Sequence, residues 1–236
     1  LLQSIKRILF RFVVIVILCS FLSVLLLRWL NPPLTSFMVA RQIEAWQLGQ
    51  KDFHFNKQWR NWDQISPNLL LAVIASEDQN FPNHFGIDFA AINQALSSHS
   101  RNGKLRGAST ISQQLVKNLY LWSARSLWRK GIEAYFTILL EVLITKKRIL
   151  EVYVNIAEFG DGIYGVEAAS AFHFKTSAKN LSINQASLLA ATLPSPRKLS
   201  ASHPSAYLRK RSQWVQGQMK QLGGREFLTS IESMRY

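Results

Sequence analysis

Between Phe12 and Leu27 the chain carries no charged residue. At 1.5 Å per residue that run covers roughly 24 Å, and the flanking Arg11 and Arg28 side chains can reach outward to extend it toward the ~30 Å hydrocarbon core of a bilayer. Such a segment has few homes in a water-soluble fold. The expected organisation is therefore a membrane anchor over residues 1–30 followed by a separately folded part. A cleaved signal peptide is the alternative, but no small-x-small cleavage site follows, and Trp29 beside Arg28 suits a membrane interface. Lys6, Arg7 and Arg11 precede or open the run, so the short N-terminus is expected in the cytoplasm and the long C-terminal part in the periplasm or extracytoplasmic space.

Asn31-Pro32-Pro33 breaks the helix as it leaves the membrane, and residues 31–62 read as an aromatic-rich, weakly periodic connector. From residue 63 to 236 one catalytic domain is expected, because 236 residues with 48% hydrophobic content leave room for an anchor and one large core. The pattern is mainly α. Ser66-Pro67 is an N-cap followed by proline in the first turn, leading to Asp78; Asp88 can cap a helix to about Leu96, Ser109 one to about Trp122, and Thr145 one to about Asn155. A long amphipathic stretch runs over residues 126–144. Ser182 and Gln185 have capping-box spacing, and Pro204 opens a last helix that stops at Gly223-Gly224. Short hairpins are admitted around residues 50–59 and 160–164. The single Cys, Cys19, lies inside the apolar run, so the remainder has no disulfide, thiolate nucleophile or Cys-based metal site.

Residues 68–75 (NLLLAVIA) are apolar on every helical face, yet the helix ends in Glu77 and Asp78. The helix dipole is negative at that end and burial disfavours charge, and both effects make a carboxylate a better proton acceptor, as a general base requires. The bland alternative is that one of the pair is exposed or matched with an arginine. Phe81, His84, Gly86 and Asp88 follow within a short polar turn. A second feature is the imbalance of 28 Lys+Arg against 14 Asp+Glu, a net charge of +14, which is concentrated locally. No Asp or Glu occurs over residues 89–132, while Arg101, Lys104, Arg106, Lys117, Arg125, Arg129 and Lys130 all fall there. A solvated face mixes signs, so this segment expects an anion. Within it Thr110, Gln113, Gln114 and Lys117 recur at helical spacing, and Gly107 and Ser109 precede them where free backbone N–H groups can hold phosphate oxygens. An ordinary polar helix face explains that stripe equally well. Arg129-Lys130-x-x-Glu133 can be an intrahelical ion pair or a carboxylate that orients cations around a pyrophosphate. The stretch from Lys146 through Asn155 to Gly165 reads mainly as close backbone packing. The basic run Arg209-Lys210-Arg211 lies outside all of these, and Lys210 is expected to tolerate alanine.

In this order the four stretches resemble the monofunctional biosynthetic peptidoglycan transglycosylases, relatives of the glycosyltransferase domain of class A penicillin-binding proteins. The resemblance covers about Asp63 to Leu199 and rests on EDQNFPNHFGID from Glu77, GASTISQQLVKN from Gly107, RKGIE from Arg129 and KRILEVYVNIAEFGDGIYGVEAAS from Lys147. Ala108, Ser112 and Val154 depart from the usual pattern without removing a charge or an amide. The resemblance implies a lysozyme-like, mostly helical domain with a smaller membrane-facing lobe and a long cleft between. It also implies an inverting glycosyl transfer. Glu77 would take the proton of the acceptor 4-hydroxyl as that oxygen attacks C1 of the donor, and Glu133 would be the second catalytic carboxylate, holding the cations. Asp78, Phe81, His84, Ser109, Thr110, Gln113, Gln114, Lys117, Asn118, Arg129 and Lys130 would bind substrate.

The implied partners are lipid II, the lipid-linked growing glycan and the membrane, with other cell-wall synthesis or division proteins as candidates and no nucleic acid. No cofactor is required for certain, although Glu133 could help bind a divalent cation, Mg or Mn, as in some members. Peptide crosslinking by a transpeptidase domain is not expected, because the chain ends shortly after Pro194-Ser195-Pro196. The rival enzyme is a lytic glycosidase of similar fold, which needs an acid with a second carboxylate or a substrate-derived nucleophile, and has no use for an acid-free cationic segment. A non-catalytic wall-binding scaffold and a basic nucleic-acid binder are weaker rivals, disfavoured by the complete motifs and by export.

Overall fold

The computed structural model describes residues 2–102, 109–124 and 126–234. Gly107, Ala108, Lys104, Arg106 and Arg125 fall outside them. The anchor is one helix, α1 (Leu2–Leu26), long and apolar enough to cross a membrane, with most of its surface free of protein contacts. It begins earlier than hydropathy suggests, so Lys6, Arg7 and Arg11 are helical.

The connector is more ordered than its composition indicates. It holds α2 (Ser36–Gln47), capped by Thr35, whose hydroxyl accepts from the Met38 N–H. The missing sequence signal has a physical reason: the buried row of this helix is Met38, Arg41 and Ala45, and a buried arginine interrupts the apolar period. Arg41 is neutralised by Asp161, which accepts from Nε at 2.8 Å and from Nη2 at 3.0 Å and clips α2 to a small sheet. That sheet has the order β1 (Asn56–Lys57), β3 (Ile163–Tyr164), β2 (Glu158–Gly160). The hairpin expected at residues 160–164 forms as β2 and β3, whereas the one at 50–59 does not, because β1 pairs in parallel with β3 instead.

The domain is built around α3 (Pro67–Glu77), in which every residue from Leu69 to Ala75 is buried. α4 (Phe89–Asn102) follows, starting at Asp88, whose carboxylate accepts from the Ala91 N–H at 2.8 Å; that bond chiefly holds its pKa below the usual carboxylate range. Then come α5 (Ile111–Tyr120), α6 (Leu127–Leu143), α7 (Lys146–Ile156), α8 (Val166–Phe174), α9 (Ile183–Thr192), α10 (Ala206–Gln221) and α11 (Arg225–Ser233). Thr145 and Ser182 cap α7 and α9 as expected, and Ser126, where the amphipathic stretch begins, caps α6. Elsewhere the boundaries move. Thr110, not Ser109, caps α5; Ser205, not Pro204, caps α10; and α10 is not the last helix, since Gly223-Gly224 leads into α11. α3 is packed between α9 and α10, and α5 between α6 and α7, which gives two helical groups joined through α7. The described residues are mainly helical, as the sequence pattern requires.

The anchor is not a free tether. Val24 and Leu27 belong to the buried core, Ser20 Oγ lies 2.7 Å from Tyr135 Oη on α6, and Arg148 on α7 donates to the Leu27 and Leu30 carbonyls at 2.9 Å and 3.0 Å. A cut at residue 30 thus removes packing as well as a membrane span. Burying side chains of this size is worth about 1.5–3 kcal/mol each. At about 2–4 °C per kcal/mol for a chain of this size, a protein starting at residue 31 should melt roughly 5–20 °C below one starting at residue 19 in the same detergent. Equal melting temperatures would show that the last turns of α1 add nothing to the domain.

Candidate active site

α3 delivers Glu77 as its last residue, at the wall of a cleft of about 1090 Å³ that is also lined by Ser109, Gln114 and residues of α4 and α10. Burial of the helix forces both terminal carboxylates to find donors, and they find different ones. Asp78 is buried and spent on structure. Its carboxylate sits 3.0 Å from His84 Nε2 and accepts the Ile111 N–H at 2.9 Å, so it ties the end of α3 to the following loop and to the first turn of α5. The Gly86 N–H donates to His84 Nδ1 at 3.1 Å, which leaves Nε2 as the ring's donor to Asp78. Gly86 has φ +78°, and a Cβ there would stand 2.6 Å from Thr137 Cγ2, so only glycine closes this loop against α6.

Glu77 keeps one side to the cleft, with its side chain 12% exposed. Oε2 accepts from Gln114 Nε2 at 3.0 Å, and Oε1 accepts from the Ser76 hydroxyl at 3.1 Å. The orientation of the Gln114 amide is fixed from behind by Tyr153, whose hydroxyl donates to Gln114 Oε1 at 2.8 Å. Burial pushes the Tyr153 pKa well above its ordinary value, so it remains a donor. Arg211 of α10 completes the surroundings, 3.7 Å from Oε1.

One helical turn beyond Gln114 lies Lys117. Burial lowers its pKa; Glu133 pulls it back up, and Arg129 and Lys130 lower it further, with Glu77 also close enough to act on it. Its ammonium stands 5.4 Å from the Phe37 ring centroid on α2, so the connector covers this cation. Glu133 is buried. It accepts from Arg129 at 2.7 Å and from Lys130 through the other oxygen, so the intrahelical pair and the cation-orienting carboxylate are the same arrangement. Three cations and one buried carboxylate thus gather beside the Glu77 cleft.

The remaining expected residues divide by what they touch. Ser109 is exposed on the cleft wall. Thr110 and Gln113 form the capping box of α5, and the Thr110 hydroxyl donates to the Gly86 carbonyl at 2.5 Å, so their polar atoms are engaged within the protein. Phe81 is fully buried beneath Lys146 Nζ, 4.6 Å from its ring centroid. The Asn118 carbonyl accepts from Ser36 of α2. The helical stripe therefore splits: Gln114 and Lys117 face the site, while Thr110 and Gln113 hold the helix start.

Sequence reasoning placed α10 but missed its position at the cleft. Tyr207, Lys210, Arg211 and Trp214 line the Glu77 cleft, so Lys210 is not the neutral position its place outside the motifs suggested. The available signal was the basic run itself, recurring near an otherwise polar helix. Sequence reasoning also gave no role to Glu141, which accepts from the Lys146 ammonium at 2.8 Å and from the Ser112 hydroxyl, while Lys146 donates to the His84 carbonyl at 2.7 Å. Serine at residue 112, where threonine is commoner, keeps the hydroxyl this buried network needs.

Comparison with known proteins identifies the family. A family model described as Transglycosylase matches residues 45–220. The chain is 54% identical over 213 residues to the "Biosynthetic peptidoglycan transglycosylase" of Stutzerimonas stutzeri (strain A1501), covering 90% of this chain and 88% of that one. Over 216 residues it is 52% identical to the protein of the same name from Pseudomonas savastanoi pv. phaseolicola, covering 92% and 91%. With that of Pseudomonas aeruginosa (strain PAO1) it shares 49% identity over 232 residues, covering 98% of this chain and all of the relative. The family model spans most of the chain and the match runs along nearly the whole of each relative, so the chain belongs to the transglycosylase family and is a peptidoglycan glycosyltransferase.

Proposed function

We propose that the chain polymerises lipid II by an inverting transfer on the outer face of the cytoplasmic membrane, with the lipid-linked growing glycan as donor. The observation that carries this reading is the position of Glu77, held between Gln114 and Arg211 and close enough to Lys117, the first member of the Lys117–Arg129–Lys130 cluster, to act on its charge. Glu77 takes the proton of the acceptor 4-hydroxyl while that oxygen bonds to C1 of the donor. The C1–O bond to the pyrophosphate breaks, and its electron pair leaves on undecaprenyl pyrophosphate. General-base assistance of this kind contributes about 10² to 10⁴ in rate. The leaving group already delocalises its charge, so it needs cations more than a proton donor, and Lys117, Arg129 and Lys130 supply them with Ser109 at the cleft wall.

Several observations support this over hydrolysis. A lytic glycosidase needs a second carboxylate or a nucleophile near the first, but Asp78 is pinned by His84 and Ile111, and Glu133 is ion-paired. A divalent cation does not fit at Glu133, since each carboxylate oxygen is already taken by a cationic side chain and no group of three metal-ligating side chains occurs among the described residues; no step is routed through a metal. The N-terminal cations of α1 support an inside N-terminus and an exported domain.

Glu77→Gln should keep the fold and abolish polymerisation of lipid II on a gel that resolves glycan length, since it preserves shape and removes the base, the amide oxygen still accepting from Gln114 while its NH2 turns toward the Ser76 hydroxyl. Turnover within about tenfold of wild type would sink the assignment.

Lys117→Ala and Lys130→Ala should each lower the rate about tenfold to a few hundredfold, the effect of losing a charge-assisted hydrogen bond of about 1.5–3 kcal/mol. Lys220, exposed in the last turn of α10, serves as the control that Lys210 cannot be, and Lys220→Ala should be silent. Near-normal rates for the first two would remove the pyrophosphate site.

Lys117 also sets a pH dependence. Because burial lowers its folded-state pKa, the native protein sheds this proton before the unfolded chain does as pH rises. Between the two pKa values the unfolded state binds more protons, so this group's contribution makes stability rise while loss of the cation makes kcat/KM fall. Lys117→Arg should move the alkaline fall of kcat/KM to higher pH. An unchanged alkaline limb would separate Lys117 from catalysis.

A further inference from the structure

Arg211 lies on α10, outside all four motif stretches, and reaches the end of α3 from the opposite side to Gln114. One terminal nitrogen is 3.3 Å from the Ser76 hydroxyl oxygen and 3.7 Å from Glu77 Oε1, and Ser76 in turn donates to that same Oε1. The guanidinium carbon stands 6.0 Å from the Trp214 ring centroid. Its Nε is buried and has no hydrogen-bond partner among the described residues. An orphaned buried N–H is unfavourable, so the head group is not oriented to satisfy its own donors. It is oriented to aim a terminal nitrogen at Ser76 and Glu77.

The distances have a chemical consequence. An ionised carboxylate offers about four acceptor positions, and Glu77 uses one on each oxygen, for Gln114 and for Ser76. At 3.7 Å, Arg211 is inside ion-pair range and outside hydrogen-bond length. Its charge fixes the carboxylate in place through space and through Ser76, yet leaves the remaining position on Oε1 open to an incoming hydroxyl. A guanidinium bonded directly to that oxygen would occupy the position the acceptor needs.

We propose that Arg211 is a positioning residue for Glu77, holding the base from the α10 side in the orientation that receives the acceptor hydroxyl. This rests on the reading of Glu77 as general base. It predicts a loss in turnover rather than in substrate affinity, because the contact is to the base and not to the lipid-linked sugar.

The test is polymerisation of lipid II by the full-length protein in detergent, with kcat, KM and melting temperature measured for Arg211→Met, Arg211→Lys and Arg209→Met. Arg209 is exposed and donates to the Pro204 carbonyl, away from the cleft lining, so its variant is the control. Arg211→Met should lower kcat about 10- to 100-fold, the scale of a misplaced catalytic group, with KM within about threefold. Arg211→Lys should recover part of the loss, and added methylguanidinium should partly restore Arg211→Met. A kcat within about threefold of wild type overturns the proposal. So does a raised KM with unchanged kcat, which would make Arg211 a substrate contact. A matched fall in kcat and melting temperature for both variants, with no rescue by methylguanidinium, also overturns it and makes Arg211 a structural prop. Glu77→Gln in the same assay separates the two readings: if it is active, the base assignment fails and this inference with it; if it is inactive while Arg211→Met is normal, only this inference fails.

Discussion

Burying α3 on every side leaves two adjacent carboxylates at an end where the helix itself offers no donors, and the cleft follows from how that demand is met. Asp78 turns inward and accepts from His84 and from the first N–H of α5. The loop between them is then closed by Thr110 on the Gly86 carbonyl and by Lys146 on the His84 carbonyl. With α5 fixed in this way, Gln114 falls against Glu77 one turn further along. Replacing Asp78 would therefore act on Glu77 indirectly, by releasing the start of α5. A buried donor left without its acceptor costs about 1–3 kcal/mol, enough to loosen the geometry without unfolding the domain.

The same economy governs the charges. A chain with a net charge of +14 offsets the mutual repulsion within its acid-free segment by bringing in carboxylates from outside it. Glu77 arrives from α3 and Glu133 from the next turn of α6, and Lys117 lies close enough to feel both. Breaking a buried pair is more damaging than never having built it, at about 3–5 kcal/mol. Loss of Glu133 would leave Arg129 and Lys130 beside a half-buried Lys117 with nothing to balance them. Substituting Glu133 therefore disturbs folding as well as the cations, whereas Lys117 and Lys130 can each be removed with less structural consequence.

What could be read in the sequence was whatever depends on neighbours along the chain. The caps at Thr145 and Ser182, the start of α6 at residue 126, the continuous burial of α3 and the pairing of Glu133 with its own helix are all local, and they stand where the residue pattern puts them. The stripe Thr110–Gln113–Gln114–Lys117 was legible as a face but not in its division of labour. Spacing cannot distinguish a residue that caps its own helix from one that looks into a cleft. α2 escaped notice because Arg41 occupies a buried position and is neutralised by Asp161, far away in sequence. Arg211 escaped for a similar reason: nothing near it in the chain reports that α10 returns to the end of α3.

α6 joins these two scales. Its first turns hold Arg129, Lys130 and Glu133, and two residues later Tyr135 meets Ser20 of the anchor. On the membrane side of the same helix Trp128, Ile138 and Val142 are exposed, although an isolated soluble domain would be expected to cover such residues. A cation cluster carried on a helix that is itself bonded to the transmembrane segment cannot change its depth relative to the bilayer without breaking that contact. Under the proposed function the pyrophosphate of a lipid-linked substrate is equally constrained, because its lipid stays in the membrane. Fixing both depths by covalent and packed links removes one translational degree of freedom from the encounter before any sugar is recognised. Specificity for the reacting hydroxyl can then be left to the small set of groups around Glu77.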